Sequence, residues 1–445
     1  MFYGWRIVAV VFLTHFISVG LVFYSYGVFF KALTADFGGS RLGVAVGLAI
    51  LNVVVGVLSP FVGRAVDRGS IRLIMCAGAL LMATGFLVGS QIEALWQFYV
   101  VIGTFLAFGT VLLGALSGST LVANWFTERR GTALGVSGMG ISLSGLAMAP
   151  IATLLISAIG WRGTFLVYGA VTLVAVLPAV WLVIVNRPED LEMLPDGEAA
   201  PPHASVGAAE HPLAPEAPLV EAPAPPEWSA RDALRNRNFW AIAFVVALNF
   251  CANGAVLTHI IPHGTDIGFE PLAAAWVLST MAGLGVVGKV LFGWLVDRVP
   301  ERGAIWAATG LQAVGVALIL NVEAYPSLLL AGAVFGLGMG GLVPLWGALI
   351  GSGFGRLAFG RVMGLMTPVM VPVQICGIPY AGWIYDQTGS YDIAFASFLG
   401  VYAFAGIVVL FLRMPEVEPG TAVRALPRAE GAELAAGACS ASDVA

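Results

Sequence analysis

Twelve runs of roughly 20 apolar residues, the length a helix needs to cross a hydrocarbon core, leave this chain few folds to choose from. They fall at 5–30, 43–63, 71–90, 95–122, 132–158 and 163–186, and again at 238–262, 272–296, 303–321, 326–352, 362–384 and 392–412. Near-continuous apolarity, rich in Leu, Ala and Gly, predicts helices; barrel strands would alternate over about ten residues. A water-soluble alternative fails on its skin. Only 11% of the 445 residues are charged, less than half the usual share of about 25%. The fold class expected is an all-α membrane protein with twelve transmembrane helices in two sets of six. The first run is too long for a signal-peptide core and lacks a small-residue cleavage site, so it reads as a retained first span.

Orientation follows from the basic residues in the connections. With Met1 taken as cytoplasmic, seventeen arginines fall on inside segments, against Lys31, Arg41 and Arg162 outside, and Lys289 alone lies within a span. Both termini are therefore expected in the cytoplasm of a multi-pass plasma-membrane protein. Residues 187–237 are rich in Pro, Ala and Glu and predict a flexible cytoplasmic linker; their end, from Trp228, has the pattern of a short interfacial helix. The tail, 414–445, predicts disorder. Cys76, Cys251, Cys376 and Cys439 are scattered, with neither a disulfide framework nor zinc spacing.

The two sets are copies of one unit. Gly63-Arg-Ala-Val-Asp67-Arg68-Gly-Ser-Ile-Arg72 returns as Gly293-Trp-Leu-Val-Asp297-Arg298-Val-Pro-Glu-Arg302, each matched residue 230 positions on. Gly131-xxx-Gly135 returns at 229 as Gly360-xxx-Gly364. Matched charges at a fixed offset are improbable by chance in so apolar a chain, and they place function where the copies meet. The boundaries expected are a bundle over 1–186, a linker over 187–237 and a second bundle over 238–413.

This layout, with G-x-x-x-D-R-x-x-x-R after the second and eighth spans, resembles the major facilitator superfamily. Tyr3-Gly4-Trp5 and Ala123-Asn-Trp125-Phe126-Thr-Glu-Arg129-Arg130-Gly131 resemble its oxalate/formate antiporter and monocarboxylate porter branch. The resemblance implies two pseudo-symmetric six-helix bundles that alternate a central site between the two sides of the membrane. It also implies that the Asp-Arg loops latch the halves together, which makes Asp67, Arg68, Arg72, Asp297, Arg298 and Arg302 the gating residues.

Lys289 is the sharpest single residue. A buried ammonium is costly unless paired, and every Asp and Glu of the chain falls near a span end or in a loop. A cation lining a cavity suits an anionic substrate; the bland alternative is a lysine that snorkels or bonds backbone carbonyls. Where the resembled families carry a basic residue for the substrate carboxylate, this chain has Lys289. The oxalate exchangers have a second basic residue in the eleventh span, absent from 362–384 here, which points to a monocarboxylate. Asn249, Asn253, Tyr24, Tyr26, Asn52 and Gln374 are candidates for the remainder of the site, although amides and phenols also serve as glue between helices. His15 and His259 are candidate proton carriers. Pro368, Pro372 and Pro379 are expected to interrupt the eleventh helix.

Two departures count against proton coupling through a carboxylate. Gly285 stands where proton-linked relatives place an Asp, and 95–122 carries no basic residue. The expected function is secondary transport of small organic anions, the expected partners being the anion, the bilayer and a proton or counter-anion, with no nucleic acid, and a monomer as the working unit. The absence of a G-x-x-x-x-G-K-[ST] loop leaves gradients as the energy source; neither cofactor nor metal is expected. Rival readings are an exporter of apolar compounds on the same fold and a membrane sensor. An enzyme is not expected, since no nucleophile–base pair recurs on a helical face.

Overall fold

A peptide group buried in hydrocarbon must find its hydrogen bond within its own segment or its barrel, so long apolar runs become helices. A computed structural model describes residues 2–37, 41–197 and 228–413. Among these residues there are twelve helices long and apolar enough to cross a membrane and no strand. They are α1 (Gly4–Tyr24), α2 (Val46–Arg68), α3 (Ile71–Gly89), α4 (Leu95–Trp125), α5 (130–159), α6 (161–183), α7 (Arg237–Asp266), α8 (Leu272–Val296), α9 (Glu301–Leu320), α10 (Tyr325–Phe354), α11 (Phe359–Thr388) and α12 (Asp392–Val409). The reversal between α5 and α6 turns on Gly160, whose φ of 72° and ψ of 170° a side chain would oppose.

Large apolar side chains such as Phe61, Leu154, Val174, Leu182, Leu272 and Trp276 are exposed around the outside. Such a surface is insoluble in water and matched to lipid. Inside, small residues let helices approach closely. Gly135 of α5 lies against the Lys289 carbonyl of α8, and Gly364 of α11 against the Ser59 carbonyl of α2, each at a distance that leaves no room for a methyl group. The α5–α8 and α2–α11 pairs form two seams between the first six helices and the last six. The whole packs as one unit that ends at Leu412.

Two expectations need correction. Helix α11 runs unbroken through Pro368, Pro372 and Pro379. Each ring removes one N–H from the ladder, but the helix is held on both sides by α2 and α7 and does not part. The linker is also shorter than expected at its start. Residues Pro188–Leu191 and Pro195–Gly197 form ordered turns. Asp196 there accepts from the N–H groups of Thr127, Glu128 and Arg129 at 2.8, 2.8 and 3.2 Å. A short helix, Ala230–Arg235, follows Trp228 as expected. The rest of the linker (198–227), the tail (414–445) and Cys439 lie outside the described residues.

Candidate functional site

Each seam closes at one end with a carboxylate from one half set against a helix N-terminus of the other. Asp67, in the last turn of α2, accepts from the backbone N–H of Gly360 at 2.9 Å and of Arg361 at 2.7 Å, at the start of α11. Asp297, capping α8, accepts from the N–H of Gly131 at 2.7 Å and of Thr132 at 2.8 Å, and from the Thr132 hydroxyl at 2.7 Å, at the start of α5. The first N–H groups of a helix have no partner within it and carry the positive end of its dipole, so an anion is favoured there. Burial pushes the Asp297 carboxyl above the usual carboxylate range, while the hydrogen bonds from Thr132 and Gly131 pull it back down.

The arginines of the same motif do other work. Arg68 is exposed. Arg72 donates to the Ile184 carbonyl and its backbone N–H to Asn186 Oδ1, tying α3 to the end of α6 within one half. Arg298 folds back over the Trp294 ring at 4.1 Å and donates to the Trp294 carbonyl. Arg302 is half-buried at the start of α9. A cross-half ion pair comes instead from outside the motif, between Arg356, which precedes α11, and Glu189 beyond α6. Arg356 also donates to the Asn124 carbonyl of α4 at 3.3 Å.

About two turns into the α5–α8 seam from Asp297 stands Lys289, 5% exposed. Its Nζ donates to Ser142 Oγ at 2.6 Å, across the seam. Among the described residues no carboxylate comes within ion-pairing distance of it. The ammonium is thus not bare, as expected from sequence, but held by one neutral hydroxyl from the opposite half. Its aliphatic chain passes over Gly138, where Val343 of α10 also approaches. Two turns further along α5 from Gly138, Gly145 packs against the ring of Tyr24, which is 42% exposed. Gly135, Gly138, Ser142 and Gly145 recur at three- and four-residue spacing, so they share one face of α5. That face brings Lys289 and Tyr24 to the same stripe.

Other candidates lie elsewhere. Asn249 Oδ1 accepts from Thr309 at 3.2 Å and Gln312 at 3.3 Å, joining α7 to α9. Asn253 Oδ1 accepts from Tyr402 at 3.2 Å, joining α7 to α12. Both amides are buried glue within one half, since those helices leave them no open face. Tyr26 is buried beside Phe98 and Gly47. Asn52 is half-buried and bonds back to the Leu48 carbonyl at 2.8 Å, and Gln374 is half-buried on α11. His259 is placed between the Tyr391 hydroxyl, at 3.3 Å, and the Ile378 carbonyl, at 3.1 Å. His15 is buried with Nδ1 3.2 Å from the Ser137 carbonyl. Sequence reasoning missed Ser142, although the glycine stripe of α5 runs straight through it. It missed Arg356, Glu189 and Asp196 as well, for which no sequence signal stood out.

Twelve helices long and apolar enough to cross a membrane, paired across two related seams, have the layout of a membrane transporter. The Major Facilitator Superfamily model matches residues 11–370, and the chain belongs to that family; it is a membrane transporter, not an enzyme. The chain is 28% identical over 420 residues to monocarboxylate transporter 13 of Rattus norvegicus, covering 92% of this chain and 88% of the relative. It is 29% identical over 406 residues to monocarboxylate transporter 11 of Homo sapiens, covering 88% and 79%. Among solved structures it resembles the Major Facilitator Superfamily transporter FucP in the outward conformation, with a TM-score of 0.68 at 12% identity over 93% of this chain and 99% of that one. It also resembles the human organic anion transporter MFSD10, with a TM-score of 0.66 at 15% identity over 92% and 100%.

Proposed function

We propose that the protein carries small organic anions, monocarboxylates first, and that Lys289 receives the carboxylate. The observation that carries this reading is the Lys289 ammonium itself, buried within α8 with a serine hydroxyl as its partner and, among the described residues, no carboxylate in reach. A buried cation without a counter-charge is costly, and an arriving carboxylate would relieve that cost. Ser142 would then turn from accepting the ammonium's hydrogen bond to donating one to the anion, and Tyr24, one turn away, would shape the remainder of the pocket. The names of the relatives support the same substrate class.

Transport would proceed by rocking 1–186 against 238–413. The conformation described has its seams shut at the Asp67 and Asp297 end. We assign that end to the cytoplasm of a plasma-membrane protein, because the basic connections gather there. The carboxylate caps would hold the closure and part once in each cycle.

The test is uptake of labelled mono- and dicarboxylates into proteoliposomes by wild type and Lys289→Gln, at several pH values and with anion or acid on the far side. Loss of monocarboxylate uptake in the folded variant is expected. Unchanged uptake would remove Lys289 from the site, and an apolar substrate carried equally well by both proteins would favour the exporter reading. Stimulation by anion on the far side marks exchange, and stimulation by acid marks symport.

A further inference from the structure

Beside the closed end, between the start of α3 and the end of α6, lies a cavity of about 440 Å³. Ser70, Arg72, Asn186 and Asp190 give it a polar wall, and Leu73, Trp181 and Leu191 an apolar one. Chain order explains the mixture. Ser70 caps α3, α6 ends at Val183, and Asp190 and Leu191 belong to the turn Pro188–Leu191 that follows it. The cavity therefore sits where both helices leave the apolar layer.

Arg72 is half-buried and anchored at the wall. Its Nε donates to the Ile184 carbonyl, and its backbone N–H donates to Asn186 Oδ1 at 3.2 Å. The other N–H groups of the guanidinium fork donate to nothing among the described residues. No carboxylate among those residues comes within ion-pairing distance of Arg72, although Asp190 lines the same cavity. Asp190 accepts instead from the Arg187 backbone N–H at 3.2 Å. A cation and an anion thus face one space without meeting across it. A guanidinium with donors to spare matches the oxygens of a phosphate. Ser70 Oγ accepts from the Leu73 N–H at 3.4 Å, which leaves its own hydrogen for a further bond.

The apolar wall indicates what brings that phosphate. On α3, Leu73, Ala77 and Leu80 are exposed, and on α6, Val174, Pro178 and Trp181. Three- and four-residue spacing makes each set one stripe of its helix. The two helices pack side by side, and their stripes reach the cavity at Leu73 and Trp181. Tryptophan is favoured at the level where hydrocarbon gives way to headgroups. A free anion would use the polar wall alone. A molecule with a phosphate at one end and hydrocarbon at the other uses both walls and the stripes below them.

We propose that this cavity holds the headgroup of a zwitterionic phospholipid. Its phosphate meets Arg72 and Ser70, its cationic end turns to Asp190, and an acyl chain runs past Leu73 and Trp181. The opposed charges of the wall select the lipid class, since complementary charge on both sides leaves neither Arg72 nor Asp190 facing its like. An anionic lipid without a cationic group would satisfy Arg72 and set its negative charge against Asp190. The site lies wholly within the first six helices, so it does not depend on the role given to Lys289.

The test uses the full-length protein, stripped of lipid in detergent and titrated with dioleoylphosphatidylcholine or dioleoylphosphatidylglycerol, with bound lipid counted by native mass spectrometry. Wild type is expected to hold one phosphatidylcholine more tightly than any further one, and more tightly than phosphatidylglycerol. Arg72→Gln is expected to weaken that first adduct about tenfold, the low end for a hydrogen bond to a charged group. Because Arg72 also ties α3 to α6, a second variant is made on the exposed turn. Leu191→Glu sets a carboxylate beside the phosphate and is expected to weaken the same adduct while the thermal midpoint of the lipid-free protein stays unchanged. Asp190→Asn is expected to remove the preference over phosphatidylglycerol. Inorganic phosphate is expected to leave the adduct in place. Equal adducts in wild type and Leu191→Glu, equal binding of the two lipids by wild type, or displacement by inorganic phosphate alone overturns the proposal.

Discussion

The α2–α11 and α5–α8 seams follow one plan over about two turns from their closed end and then part company. On both, an aspartate from the motif caps the first N–H groups of the opposite helix, Asp67 on Gly360 and Arg361, Asp297 on Gly131 and Thr132. On both, a glycine one turn inward lies on a carbonyl of the facing helix, Gly364 on Ser59 and Gly135 on Lys289. The difference is in the side chains of those last two residues. Ser59 bonds back onto its own helix, to the Val55 carbonyl at 2.6 Å. Lys289 reaches across to Ser142. What the two seams share is main chain, glycine and a cap, which any duplicated helix can keep. What differs is one side chain at an equivalent place, and that is where a duplicated frame can acquire a substrate.

The comparison breaks first at this pair. Lys289→Gln is expected to abolish carboxylate uptake, whereas Ser59→Ala, which loses a bond local to its own helix, is expected to keep uptake close to wild type. Both are measured in the same proteoliposome assay. Equal losses would mean that the two positions are alike in function, and that the seams differ only in composition.

Next come the caps. Hydrogen bonds to a charged group are worth about 1.5–3 kcal/mol, and about 1.4 kcal/mol is tenfold in a population. Asp67→Ala and Asp297→Ala should each shift the closed end towards open by roughly one to two orders of magnitude on that scale. Asp297→Ala is expected to do more, since Asp297 has three donors to Asp67's two. Paired spin labels across each seam report the change. The two effects should add, because the caps share no partner.

Acidity sharpens the same comparison at a smaller scale. In the closed seam, burial lifts the Asp297 carboxyl above its ordinary range; in an open seam it would return to water and to that range. The closed form thus binds the proton more tightly. Its added stability is fully present below the ordinary carboxylate pKa of about 3.9 and is lost as the pH rises through the elevated one. Acidification through that window is expected to close the α5–α8 end, read by the same labels, and Asp297→Asn is expected to flatten the response.

Most of the fold was legible in the sequence because hydrocarbon leaves the backbone little choice. Window lengths gave the helices, and the 230-residue echo gave the seams and their aspartates. Side-chain roles were less legible, for a physical reason. An amide in an apolar run looks the same whether it meets a ligand or another helix, and Asn249 and Asn253 meet other helices. Spacing within one helix also cannot show which face the fold turns inward, so Ser142 stayed hidden beside Lys289. The prolines of α11 misled because packing from α2 and α7 outweighs the lost N–H groups.

The smallest expected effect concerns the loops that open each seam. They occupy equivalent places, 127–129 before α5 and 356–358 before α11, and one short segment beyond α6 holds both. Asp196 gathers the N–H groups of Thr127, Glu128 and Arg129 within its own half. Glu189 pairs with Arg356 of the other half. Only the second contact must break when the closed end opens. Because its side chains are 30% and 42% exposed, solvent screens the pair, and it is worth about 0–1 kcal/mol. Glu189→Gln is therefore expected to move the closed population by a few-fold at most, and raising salt should reproduce that shift, since screening acts on exposed charges first. Salt should add nothing further in the Glu189→Gln background and should leave the effect of Asp67→Ala intact. A salt effect that survives Glu189→Gln would place the screened charges elsewhere at the closed end and would leave the segment beyond α6 a passive support for the α5 loop.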